Sequence, residues 1–99
     1  MNKNFEVTKV DIFPINPQAG LIAFASVKLN DTIQLGSIGV RVGEGGKISI
    51  TLPAKKVGEG MKFYFSLTPE LKDIITEEIQ KNIDSSGLFG FIKEWYETN

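Results

Sequence analysis

Cysteine and histidine are both absent from these 99 residues. Without cysteine there is no disulfide framework and no thiol chemistry; this fits a reducing compartment, and the expected location is cytoplasmic. With neither residue, the commonest general base, the commonest nucleophile and the usual zinc ligands are missing. The expectation is therefore a non-enzyme, with no catalytic residue, metal, cofactor or small-molecule substrate. Long apolar runs are lacking too. Nothing approaches the ~18 to 20 residues that span a bilayer, so no membrane partner is expected. The opening "MNKNFEVTKV" has no apolar core with a small-residue cleavage site, so no signal peptide is expected.

What is present is an ordinary globular composition, 41% hydrophobic and 23% charged. The length suits a single domain spanning residues 1–99, with a sheet-forming part (1–66) and a helical part (67–99). The net charge of −1 hides an asymmetry. Residues 1–66 carry eight basic against five acidic side chains, net +3; residues 67–99 carry three against seven, net −4. An anionic partner would prefer the first part.

The first part reads as strands. "FEVTKVDIFPI" is β-branched and aromatic, and its apolar phase changes between Val7 and Val10, as a bulge near Thr8 or Lys9 would produce. "NPQAG" is a turn by composition. In "LIAFASVKL" Leu21, Ala23, Ala25, Val27 and Leu29 share one face, and Ile22, Phe24, Ser26 and Lys28 share the other. Asn30 and Asp31 suit a hairpin turn into a third strand, where Ile38, Val40 and Val42 face one way and Arg41 the other. "GEGG" is a tight reversal. "KISITL" then places Ile48, Ile50 and Leu52 opposite Lys47, Ser49 and Thr51. Pro53 cannot donate to a ladder and should end that strand. "AKKVGEG" reads as a mobile loop carrying Lys55 and Lys56, with Lys62 on its far side.

The period then changes. Thr68 followed by Pro69 signals a helix start. Leu71, Ile74, Ile75, Ile79 and Ile83 follow at helical spacing, "DSSG" breaks or kinks the helix, and "LFGFIKEWYETN" suits a second short helix presenting Leu88, Phe91, Ile92 and Trp95 on one face. The expected fold is α+β: an antiparallel meander of four to five strands followed by a C-terminal helix and a second short one. Both faces of residues 21–29 are apolar, which predicts cover on both sides of the sheet and hence a dimer.

Three constellations resemble sites and fit plainer readings better. Glu70, Asp73 and Glu77 share a helical face; this suits a solvated surface with a Glu77–Lys81 pair. "VGEGGKI" is not a phosphate loop, because Arg41 stands where the pattern needs glycine and Ile48 where it needs Ser or Thr, and a strand follows. Phe89, Phe91, Trp95 and Tyr96 lie at spacing that suits a core or interface better than a base-stacking platform. Two lysines after Pro53 are either ordinary loop charges or a device for following a phosphate backbone, since lysine acts as an unoriented point charge.

The order of parts resembles the SpoVG family, the septation and sporulation regulators of bacteria. Three pieces carry the resemblance: "FEVTKVDIFPI"; then "GLIAFASVKLNDTIQLGSIGVRVGEGGKISITLPAKK", whose Leu52-Pro53-Ala54-Lys55-Lys56 stands where the family has Met-Pro-Ser and two basic residues; then "LKDIITEEIQKNI". The resemblance implies a small homodimer on an antiparallel sheet with a C-terminal helix, binding DNA or RNA to regulate gene expression. Carried over, it implies phosphate contacts at Arg41, Lys55 and Lys56. The charges around them extend the candidate nucleic-acid set to Lys62, Lys47 and Lys28. The competing expectation is a protein-interaction module of the same fold, using the acidic helix and the aromatic C-terminus.

Overall fold

The computed structural model describes residues 5–98. Four strands, β1 (Val7–Gln18), β2 (Leu21–Leu29), β3 (Ile33–Val42) and β4 (Ile48–Thr51), form an antiparallel meander in the order β1-β2-β3-β4. Two short strands, β5 (Ala54–Val57) and β6 (Gly60–Phe63), pair separately as a hairpin. Helices α1 (Pro69–Ser86) and α2 (Leu88–Thr98) follow. The fold is α+β as expected, with six strands in two sheets rather than a single meander of four to five.

The connections follow turn chemistry. Ala19 and Gly20 both take positive φ, and Gln18 pairs with Leu21 across them. Asn30 and Asp31 sit at φ 53 each, and the Thr32 amide donates to the Leu29 carbonyl to close the next reversal. The register of β1 on β2 shifts between Val7 and Lys9, so Thr8 is the extra residue of a bulge. That bulge is tied down: the Thr8 hydroxyl donates to the Lys28 carbonyl at 3.2 Å and accepts from the Asp31 amide at 3.0 Å. A second bulge places Gly36 and Ser37 opposite Ser26, with Ser37 at φ 57.

Helix α1 begins as expected. The Thr68 side chain accepts from the Leu71 amide at 3.2 Å, and Pro69 occupies the first helical position. Leu71, Ile75, Ile79 and Ile83 are buried against the sheet, while Ile74 is half-buried at the stripe's edge. They meet Ala23, Ala25, Val27, Ile38, Val40, Ile48 and Ile50 in one core. Gln80 stitches the helix to the β4 edge by accepting from the Ile48 amide at 3.0 Å and donating to the Gly46 carbonyl at 3.3 Å. The helix runs through "DSS" and stops at Gly87, which takes φ 81 as its left-handed cap. Helix α2 buries Leu88 and Ile92 and half-buries Trp95 and Phe89, but Phe91 is exposed. Phe91 lies at the edge of that face, lining a depression with Leu88 and β1 while staying 45% exposed. No helix among the described residues is long and apolar enough to cross a membrane.

Both helices lie on one face of the four-stranded sheet. Ile12 and Pro14 of β1 line a depression with Ser86, Leu88 and Phe91, so that face of β1 looks toward the helices. Phe13 points the other way and is 57% exposed.

Candidate nucleic-acid interface

Lys55 and Lys56 are strand residues, not part of a mobile loop. Pro53 ends pairing with β3, as its missing amide requires, but the chain stays extended beyond it. Val57 pairs with Gly60 around a two-residue turn, in which Gly58 takes φ 61 at the first central position, a conformation that favours glycine. The base of the hairpin is closed by the Tyr64 amide donating to the Pro53 carbonyl at 3.1 Å.

Pairing then decides where the lysines point. Lys55 lies directly opposite Lys62, so these two share a face; Lys56 lies opposite Met61 on the other. Like charges in direct cross-strand register are unfavourable without an anion between them. Among the described residues, ion pairs join Lys9 to Asp11 and Lys81 to Glu77 and Glu78, and none involves Lys55, Lys56 or Lys62. The expected Glu77–Lys81 pair is thus present, at 4.0 Å.

The supporting cations do not gather around the hairpin. Arg41 is exposed on the outer face of β3, where its Nη1 donates to the Ala19 carbonyl at 2.7 Å and braces the β1–β2 turn. Lys47 lines a depression with Asp73, Thr76 and Glu77 of α1, so it sits among carboxylates. Lys28 is half-buried and pairs with Lys9 at the far end of the sheet. On β2 it lies seven positions beyond Leu21, the partner of Arg41, which is roughly 23 Å along an extended strand. The six cations expected to act together form a hairpin cluster of three and three scattered positions.

Three residues escaped the sequence reading. Phe13 and Phe24 are cross-strand partners on the outer face, 57% and 40% exposed, and Lys9 lies on that face opposite Lys28. The signal was available, since Phe24 alternates with Ser26 and Lys28 on the polar side of β2. Nothing local to Phe13 marks it, because only the register pairs it with Phe24. The C-terminal aromatics are no platform: Phe89 and Trp95 are half-buried, Phe91 is exposed, and the side chain of Tyr96 lies outside the described residues. Among the described residues no three carboxylates converge as a metal site.

No protein family model matches the chain, and no curated protein matches it either.

Proposed function

We propose that this chain is a SpoVG-like regulator of gene expression of the septation and sporulation type. It acts as a cytoplasmic homodimer that binds DNA or RNA mainly through phosphates. The observation that carries the reading is the Lys55–Lys62 pair: two like charges held in register on a hairpin, with no ion-pair partner among the described residues. A phosphate between them relieves the repulsion and is held by two charge-assisted contacts. The ordered motifs shared with the family support it. So does the separation of charge, with acidic residues crowding the helices and Lys9, Lys28 and Arg41 lying on the opposite face of the sheet.

The hairpin also supports the dimer. Met61 and Phe63 are 63% and 56% exposed on its Lys56 face, and Val57 and Tyr64 are exposed on the other. A two-stranded hairpin with both faces in water is marginal, and a second copy covering one apolar side remedies that. Phe91, exposed on α2, is the observation that favours a protein-contact module instead.

Binding of duplex and single-stranded probes, followed by fluorescence anisotropy over a range of salt, tests the reading. Wild type should lose affinity steeply as salt rises. Lys55→Ala with Lys62→Ala removes one shared phosphate per hairpin, about two per dimer, and should flatten the log–log slope by roughly two. Lys72→Ala with Lys81→Ala, on the acidic helix, should flatten it much less. Equal behaviour of the two double variants would exclude the hairpin. Absence of any salt-dependent binding by wild type would leave the protein-contact reading.

A further inference from the structure

We infer that the uncovered face of the four-stranded sheet is a base-stacking platform for single-stranded nucleic acid, centred on Phe13 and Phe24. This rests on the nucleic-acid reading above and adds a second, chemically different site to it. From Lys9 to Pro14 the β1–β2 register is unbroken. Lys9 is therefore opposite Lys28, Asp11 opposite Ser26, and Phe13 opposite Phe24, and these three rungs share one face. The two rings stand side by side in solvent, on the face away from both helices. The lysine rung lies four positions along, about 13 Å away.

That arrangement suits a single strand. Bases stack on exposed rings whatever their identity, because each has a π-face, while lysines beside the platform take the backbone. Lys9 is 3.8 Å from Asp11, but Lys9 is exposed and Asp11 only half-buried, and such pairs hold weakly, so a phosphate can compete for the ammonium. At the next rung outward the side chains of Thr51 and Leu21 close over Gly39. Phe24 pairs with Gly39, and a side chain there would overlap Thr51 Oγ1, which lies across the glycine. The exposed Thr51 hydroxyl lies over Gly39, across β3 from Phe24, and can donate to or accept from a base edge.

A second copy of the chain is the competing occupant, and area argues against it. A stable interface takes about 800 Å² from each partner. Two phenylalanines supply about 150–250 Å² each when wholly buried, and both are already partly covered. The flanking lysines match a polyanion instead.

The test compares wild type, Phe13→Ala with Phe24→Ala, and Lys55→Ala with Lys62→Ala on oligothymidylate of about fifteen nucleotides and on random duplex. The phenylalanine variant should lose at least about thirtyfold in affinity for the single strand, with an unchanged salt slope and unchanged duplex binding. The lysine variant should instead flatten the slope on both probes. Phe13→Tyr with Phe24→Tyr should keep single-strand affinity. Oligothymidylate carrying 4-thiothymidine should crosslink to wild-type peptides containing Phe13 or Phe24. Wild type that binds neither probe overturns the nucleic-acid reading. Binding that survives Phe13→Ala with Phe24→Ala, with no crosslink at either position, overturns the platform alone. So does a phenylalanine variant that becomes monomeric in light scattering and loses both probes equally, since the face is then a subunit interface.

Discussion

Ile79 has no solvent exposure and lies midway along the apolar stripe of α1. Truncating it leaves a cavity between helix and sheet that neighbouring β-branched side chains, stiff at χ1, fill poorly. Ile79→Ala should cost about 2–5 kcal/mol in urea unfolding, a large share of the ~5–15 kcal/mol by which a domain is stable. The helix cap is a smaller and separable effect. Thr68→Ala leaves the Leu71 amide without its side-chain acceptor and should cost about 1 kcal/mol, while Thr68→Ser should cost little. These two sites act on stability and lie away from the hairpin lysines, so neither change should alter the salt slope of binding.

At the scale of the element, the β5–β6 hairpin separates stability from function. Its Lys55–Lys62 rung is unfavourable for folding, and on the reading proposed here it is retained for ligand. Lys55→Glu places a carboxylate opposite Lys62. Opposite charges in register contribute roughly 0.2–1 kcal/mol, so thermal unfolding should shift slightly upward. Nucleic-acid binding should fall in the same variant, because one cation is lost and its neighbour neutralised. A variant that is less stable and binds normally would mean that the rung serves neither purpose. Gly58 gives a second handle. At φ 61 it favours glycine, so Gly58→Val should fray the hairpin and weaken binding while leaving the four-stranded sheet intact.

Across the whole molecule, charge and cover are segregated. The carboxylate-rich helices shield one side of the sheet, and the other side offers Lys9, Lys28, Arg41 and two open rings. A net charge of −1 is thus compatible with an anionic partner, because residues 1–66 carry net +3 and residues 67–99 net −4. On the proposed reading, the exposed apolar residues of the hairpin form the subunit contact. Sedimentation at micromolar concentration should give a dimer, and Met61→Asp with Phe63→Asp should give a folded monomer with weaker, less salt-dependent binding. A wild-type monomer would remove the symmetry that doubles the lysine set.

The amino-acid sequence by itself determined the features that depend on neighbours a few positions apart. These are the Thr68–Pro69 start of α1, its isoleucine stripe, the buried phase of Ile48 and Ile50, the reversal at Asn30–Asp31 and the bulge at Thr8. Each is governed by bonding or periodicity within about one helical turn or two strand residues, so local chemistry suffices. Only the tertiary structure decided the rest. Lys55 and Lys56 are adjacent in the chain, yet strand alternation sends them to opposite faces, and Lys62 becomes the true neighbour of Lys55. Phe13 and Phe24 meet because the β1–β2 turn and the register shift between Pro14 and Gln18 set one register; a further shift of one residue would turn Phe13 inward. Arg41, Lys47 and Lys28 read as one basic set until the sheet spread them across its width and length. The physical reason is the same in all three cases. A side chain's surroundings across strands are fixed by accumulated register, and register is a property of the assembled sheet rather than of any short stretch of chain.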